Sequence, residues 1–276
     1  MTSSAAKAMG SLSSLLLDYV DTTLVYDSNY DIAQGLLRNY TQLGSMSLRQ
    51  MASACFVSQA SFSRFCRHMG FESFAEFKEA VDGADYRVTD DYTQGFVSRL
   101  LADRQAAFEG YRSAVIDVMS GAMSPEDQDV LDQVLDALEE AGRIAFFSHH
   151  FLWHIGRYFQ EKMLPLGRYV ELCQSHAHQD DSAATLGPGD VAIVCSMNGS
   201  YFSHYDELTR KIYQSGATVV VLTQNRFALH LNRADYVLFC GNSNQNDVGK
   251  YAALLTIDLM VMSYIRRLRM GETEDE

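Results

Sequence analysis

Three prolines in 276 residues leave no proline-rich linker or scaffold. With 47% hydrophobic and 21% charged residues, the composition is globular and supplies an ample core for one large domain or two ordinary ones. The five cysteines, at positions 55, 66, 173, 195 and 240, form no CxxC pair and are odd in number. They read as reduced thiols of a cytoplasmic protein, packed as small apolar side chains, rather than as a disulfide framework. No run approaches the roughly 18 apolar residues that span a bilayer, so no membrane partner is expected. The opening stretch MTSSAAKAMGSLSSLLLDYV has a short apolar run, interrupted by Asp18 and preceded only by Lys7, which speaks against an export signal.

Acidic residues are absent from one window. The formal net charge is -13, yet no Asp or Glu lies between Asp31 and Glu72, where Arg38, Arg49, Arg64 and Arg67 all fall. The total argues against a protein that coats nucleic acid indiscriminately, while the window is a locally basic island that the total conceals.

What is present around that window is helical. Ile32, Leu36, Leu37, Tyr40 and Leu43 recur at helical spacing up to Gly44. Ser47 caps a second helix bearing Leu48, Met51, Ala52 and Cys55, and Ser58 caps a third that Gly70 stops. Phe71, Phe74 and Phe77 share a face of a further helix. A helix-turn-helix needs a small residue where its helices cross and apolar residues at set offsets. With Ala52 as the small residue, Met51, Cys55, Val57, Phe62 and Phe65 take the apolar positions. Gln59, Ala60, Ser63, Arg64 and Arg67 then share the outward face of the third helix, with Ser58 at its start and Arg49 on the helix before. Such a face fits a major groove, where Arg binds guanine or phosphate and Gln binds adenine. Phe56 holds the turn position where glycine is common, which predicts a packed rather than a tight turn.

A long helix is expected from Tyr92 to Met119, and another from the cap Ser124, with Pro125 first and Asp127 third, to Ala141. From Gly142 the pattern changes. RIAFFS, RYVELC, DVAIVCS, TVVVLT and DYVLFC are short, apolar and β-rich, with helical segments near 151–163, 202–214 and 248–268. Apolar strands alternating with helices imply a parallel sheet covered on both faces. Residues 176–181, with His176, His178, Asp180 and Asp181, read as a polar loop; together with His149, His150 and His154 they match no metal-ligand spacing, and no metal or cofactor is expected.

The stretch MSLRQMASACFVSQASFSRFCRHMGFESFAEFK resembles the N-terminal domain of the RpiR-type bacterial transcription regulators, from about Asp31 to Val81. In that family a sugar isomerase-type (SIS) domain follows, and the five-strand region from Arg143 onward looks like one. The resemblance implies two phosphosugar loops, GxGxS and SxSGxT, whose glycines let the backbone approach a phosphate. On the first, FFSHHFLW puts Ser148 and His150 at the glycine positions and Leu152 at the serine. On the second, CSMNGSYF keeps Ser196 and Gly199, while Asn198 and Tyr201 depart from the pattern and Ser200 adds a hydroxyl. Ser148, His150, Ser196, Asn198, Gly199, Ser200 and Tyr201 are the candidate ligand-binding residues. An ordinary phosphosugar, a different small ligand and a purely structural domain all stay open.

The expected fold class is α plus α/β: an all-helical helix-turn-helix domain at 1–83, a helical linker at 84–127, a three-layer SIS-like domain with a five-stranded parallel sheet at 128–270, and an acidic tail at 271–276. The expected function is sequence-specific transcriptional regulation on a double-stranded DNA operator, with a small-molecule effector and a homodimeric or homotetrameric assembly. The rival readings are an oligomerisation scaffold and a sugar-phosphate isomerase using His204 and Glu207. The second has no use for a DNA-reading head.

Overall fold

The computed structural model describes residues 12–82, 94–241 and 246–274. The chain divides into two units, Met1–Arg87 with Ser175–Ala177 in the first, and Val88–Gln174 with His178–Glu276 in the second.

The first unit is helical: α1 (Leu12–Thr22), α2 (Ser28–Arg38), a 3-10 turn at Tyr40–Ser45, α3 (Leu48–Ala54), α4 (Gln59–His68) and α5 (Phe74–Asp82). Three of the starts have a local cause in a capping side chain, those of α2, α3 and α4. Asp27 accepts hydrogen bonds from the backbone N–H groups of Asn29 and Tyr30; Ser47 and Gln50 form a reciprocal capping box; Ser58 accepts from Ser61 N–H at 3.1 Å. Such caps contribute about 0.5–2 kcal/mol each. The helix expected to run to Leu43 stops at Arg38, where Asn39 Nδ2 donates back to the Gly35 carbonyl at 2.8 Å, and the 3-10 turn then buries Leu43. Helix α1 was not expected; its Leu12 and Leu16 belong to the same core as Ile32, Leu36, Met51, Phe62, Phe65 and Phe77. The phenylalanines meet edge to face, Phe62–Phe77 at 5.8 Å and Phe71–Phe77 at 5.2 Å between centroids.

The second unit opens with α6 (Gln94–Ala102) and α7 (Arg104–Ser120). These replace the single long helix expected, because Asp103 leaves the helical conformation and its side chain caps α7 at Ala106 N–H, 3.0 Å away. Tyr92, where that helix was expected to begin, lies outside the described residues. Then come α8 (Pro125–Glu140), started by a Ser124–Asp127 capping box, β1 (Arg143–Phe147), α9 (Phe151–Met163), β2 (Val170–Leu172), α10 (His176–Ala184), β3 (Asp190–Cys195), α11 (Ser200–His204), α12 (Asp206–Gln214), β4 (Thr218–Thr223), β5 (Tyr236–Phe239) and α13 (Asn246–Glu274). The strands form one parallel sheet in the order β2-β1-β3-β4-β5. Alternate residues serve its two faces. Ile144, Phe146, Val191, Ile193, Val220 and Leu222 pack with α8, α9 and α13, while Ala145, Phe147, Ala192, Val194, Val219 and Val221 pack with α10, α11 and α12. This is the three-layer arrangement expected.

Three expectations are corrected. Residues 176–184 are a helix, not a loop, and the side chains it buries include the polar Gln179 and Ser182, so no apolar periodicity announces it. Helix α13 continues through Glu274, into what was expected to be a tail. Within α13, Val248–Met270 has a mean hydropathy of 1.4 and is long and apolar enough to cross a membrane by length and composition. Lys250, Thr256, Asp258 and Ser263 interrupt the apolar run, which is why counting uninterrupted residues passes over it. Val248, Ala252, Ala253, Ile257 and Met260 of this helix are buried against the sheet.

Candidate nucleic-acid interface and ligand loops

In the first unit, α4 presents two chemically distinct faces. Phe62, Phe65 and Cys66 are fully buried, whereas Gln59, Ala60, Arg64 and Arg67 are exposed and Ser63 is half-buried. Arg49 on α3 and the cap residue Ser58 are also exposed. Ser63 Oγ donates to the Gln59 carbonyl at 2.9 Å, and Arg64 Nη2 donates to Ser61 Oγ at 3.0 Å, so the guanidinium lies along the N-terminal end of its own helix. The seven residues expected to touch DNA thus sit on α3, the turn and one side of α4.

The turn is tight, contrary to expectation. Val57 N–H donates to the Ala52 carbonyl at 2.9 Å and Phe56 N–H to Ser53 at 3.1 Å, the pair of bonds that closes a helix through a left-handed residue. Phe56 is that residue, at φ +57°, and its ring is 95% exposed. Close packing lies instead beneath the turn, where a Cβ on Gly35 of α2 would approach Cys55 Sγ to 2.8 Å. Burial pushes the Cys55 and Cys66 thiols up, to about 11 and about 12, which keeps them protonated and apolar in character.

In the second unit, the two candidate loops leave the carboxyl ends of adjacent strands β1 and β3. His150 begins α9 at φ +52°, a backbone conformation that glycine adopts freely and histidine does not. The first loop therefore keeps the backbone shape of a glycine while carrying imidazole. In the second loop Gly199 sits at φ +81°, and a Cβ there would come within 2.8 Å of Ala228 Cβ; glycine is required. Asn198 Oδ1 accepts from Ser200 N–H at 2.9 Å, and the Asn198 carbonyl accepts from Asn225 Nδ2 at 2.8 Å.

Tyr201 decides what the loops can hold. It is fully buried, its N–H donates to Ser196 Oγ at 3.2 Å, and its hydroxyl donates to Gln179 Oε1 at 2.6 Å. Gln179 Nε2 in turn donates to the carbonyls of Ser148 (2.9 Å) and Cys173 (3.0 Å). A chain of hydrogen bonds thus runs from the second loop through α10 to the first. Burial, reinforced by the neighbouring Tyr205, raises the Tyr201 phenol well above its usual range, so it stays a neutral donor. His149 stacks on the Tyr201 ring with centroids 5.7 Å apart and lies 3.2 Å from Ser200 Oγ through Nε2. Burial, with His150 and His204 adding to it, lowers the His149 imidazole to about 3. A neutral His149–Tyr201 pair therefore lies beside the second loop. Ser148 Oγ and His149 Nδ1 are buried there with no hydrogen-bond partner among the described residues.

Of the seven candidate ligand residues, Ser148, Ser196, Gly199 and Tyr201 are buried, Asn198 and Ser200 are half-buried and His150 is exposed. Sequence reasoning missed Gln179 and the packing role of His149, since their partners lie on distant segments. His204, an isomerase candidate, has Nδ1 2.7 Å from the Ser200 carbonyl, and Glu207 is exposed on α12.

Residues 22–86 match the helix-turn-helix domain, rpiR family. An HTH-type transcriptional regulator of Haemophilus influenzae is 27% identical over 251 residues, covering 90% of this chain and 86% of its own; another, of Caldanaerobacter subterraneus, is 28% identical over 220 residues, covering 77% and 74%. Among solved structures, the Vibrio vulnificus NanR protein complexed with ManNAc-6P superposes with a TM-score of 0.52 at 17% identity over 94% of both chains. A protein of Bacteroides fragilis named as a phosphosugar isomerase superposes at 0.50 and 12% identity, over 60% of this chain and 92% of its own. At such identities these two show the fold alone, the first over the helical region and the three-layer α/β domain together, the second over 60% of the chain. The chain is a transcriptional regulator whose N-terminal region is a helix-turn-helix domain of the rpiR family.

Proposed function

We propose that α4 is the recognition helix and that Gln59, Ala60, Ser63, Arg64 and Arg67 meet base edges and phosphates of a double-stranded operator, with Ser58 and Arg49 on the flanking backbone. The observation that carries this is the division of α4 into a buried Phe62–Phe65–Cys66 face and an exposed Gln-Arg face in a window without acids. The reading head is proposed to occupy 1–83, joined through 84–127 to an effector and assembly domain at 128–270. The regulator works in the cytoplasm as a homo-oligomer, because one small head with so little basic surface binds weakly and two heads on a two-fold site do not. It is proposed to act on DNA and not as an enzyme, a reading supported by relatives named as transcriptional regulators. Genome-wide mapping of bound DNA, followed by binding assays on the recovered sequence, tests the operator reading.

The second domain is proposed to answer to a small ligand at Ser148, His150, Ser196, Asn198, Gly199, Ser200 and Tyr201 that differs in shape and charge from an ordinary sugar phosphate. The Tyr201–Gln179–Ser148 chain supports this, because the Tyr201 hydroxyl and amide are already hydrogen-bonded within the protein. The same packing favours a second reading, an assembly scaffold that senses nothing. Calorimetry with a panel of sugar phosphates and amino-sugar derivatives tests both. Micromolar binding of a hexose phosphate, abolished by Ser196→Ala, contradicts both, whereas binding of another ligand class contradicts the scaffold alone.

A further inference from the structure

Helix α13 is apolar around most of its circumference, and a helix of that kind is ordinarily enclosed on all sides. Here Leu254, Met262, Ile265 and Met270 are 39%, 54%, 40% and 50% exposed. The exposed residues are ordered. Leu254, the half-buried Asp258, Met262, Arg266 and Met270 follow one another every four positions, a ridge that winds slowly around the helix with Asp258, Met262 and Arg266 at its centre. From either end the ridge reads apolar, charged, apolar, charged, apolar, and its two charges are of opposite sign. Asp258 is held in place by Tyr158, whose hydroxyl donates to its Oδ1 at 2.8 Å.

A two-fold axis through Met262 makes this ridge complementary to itself. The antiparallel copy sets Asp258 against Arg266 of the second copy, and Arg266 against its Asp258. Met262 then meets Met262, while Leu254 and Met270, turned about 80° to either side of it, flank the contact. Such ridges interlock at a crossing of about -50°, the commonest helix packing in globular proteins. We infer that the exposed ridge of α13 docks a second copy of this chain, with Met262 on the axis and two reciprocal Asp258–Arg266 pairs fixing the register. This deepens the homo-oligomer reading proposed above and rests on it, placing the assembly surface on the C-terminal helix. A lipid surface is the competing occupant for a stretch this apolar, but it would have to take Asp258 and Arg266 into hydrocarbon, which is costly. A second copy pairs them instead.

Sedimentation equilibrium of the full chain tests the inference, with thermal melting to show that each variant is folded. The wild type is expected as a dimer or a larger even-numbered assembly. Met262→Glu, which leaves the Tyr158–Asp258 bond intact, is expected to weaken association about tenfold or more by placing like charges together on the axis. Asp258→Arg and Arg266→Asp are each expected to weaken it, and the double variant D258R/R266D to restore it to within a few-fold of wild type. A monomeric wild type overturns the homo-oligomer reading and this surface with it. A wild-type assembly that none of the folded single variants disturbs overturns the surface alone. Flotation of the wild type with phosphatidylcholine–phosphatidylglycerol vesicles, lost in Met262→Glu, overturns it in favour of a membrane.

Discussion

The Tyr201 hydroxyl donates to Gln179 Oε1 at 2.6 Å with both side chains buried, and this bond ties together two loops that come from different strands. Tyr201→Phe leaves the Gln179 oxygen without its donor in a buried place, and is expected to destabilise the protein by about 1–3 kcal/mol. Ser148→Ala removes a buried hydroxyl that has no partner among the described residues, and is expected to leave stability unchanged or to raise it. Urea denaturation of the two variants checks both signs. A neutral Tyr201→Phe would show that the chain of bonds does not hold the loops.

The half-buried His149 links stability to pH. Its imidazole is lowered to about 3, so between the ordinary histidine value near 6.5 and 3 the unfolded state binds a proton that the folded state refuses. Stability from this group is therefore complete above pH 6.5 and falls as pH drops through that window, by up to about 1.4 kcal/mol per pH unit. Urea midpoints from pH 7 to pH 5, above the main carboxylate range, should show the decline in the wild type and a shallower one in His149→Phe. Equal slopes would remove His149 as the cause.

Phe56 carries a left-handed backbone at a position where its ring meets solvent. Phe56→Gly relieves that conformation, which costs a bulky residue about 1–3 kcal/mol, and loses part of the gain to the greater freedom of glycine in the unfolded chain. A net stabilisation of about 0.5–1 kcal/mol is expected, seen as a higher melting temperature. A lower one would mean that the ring contributes a contact.

The elements with strong local causes were legible in the sequence. Ser47, Ser58 and Ser124 each cap the helix expected of them, and all five strands fall within the apolar runs read as strands. What escaped was non-local or masked by composition. Helix α10 buries Gln179 and Ser182, so hydrophobic periodicity gives it no signal. Asp103 resembles any other exposed acid until its side chain is seen to cap α7. At the loops, the sequence shows that Tyr201 departs from the family pattern, but not what the tyrosine does instead. That depends on Gln179, 22 residues away, and on carbonyls at the ends of two other strands. The glycine-like backbone at His150 is equally silent in a one-dimensional pattern.

The most direct test of the account is the operator affinity of Arg64→Ala, Arg67→Ala and the double variant, measured by fluorescence anisotropy at fixed salt beside a non-specific duplex. Both side chains are exposed, so the fold and melting temperature should be unchanged. Each single change is expected to cost about 1–3 kcal/mol of specific binding, and the double variant should approach its non-specific affinity. Folded double variants that bind the operator as tightly as wild type would contradict the assignment of α4 as the helix that reads DNA.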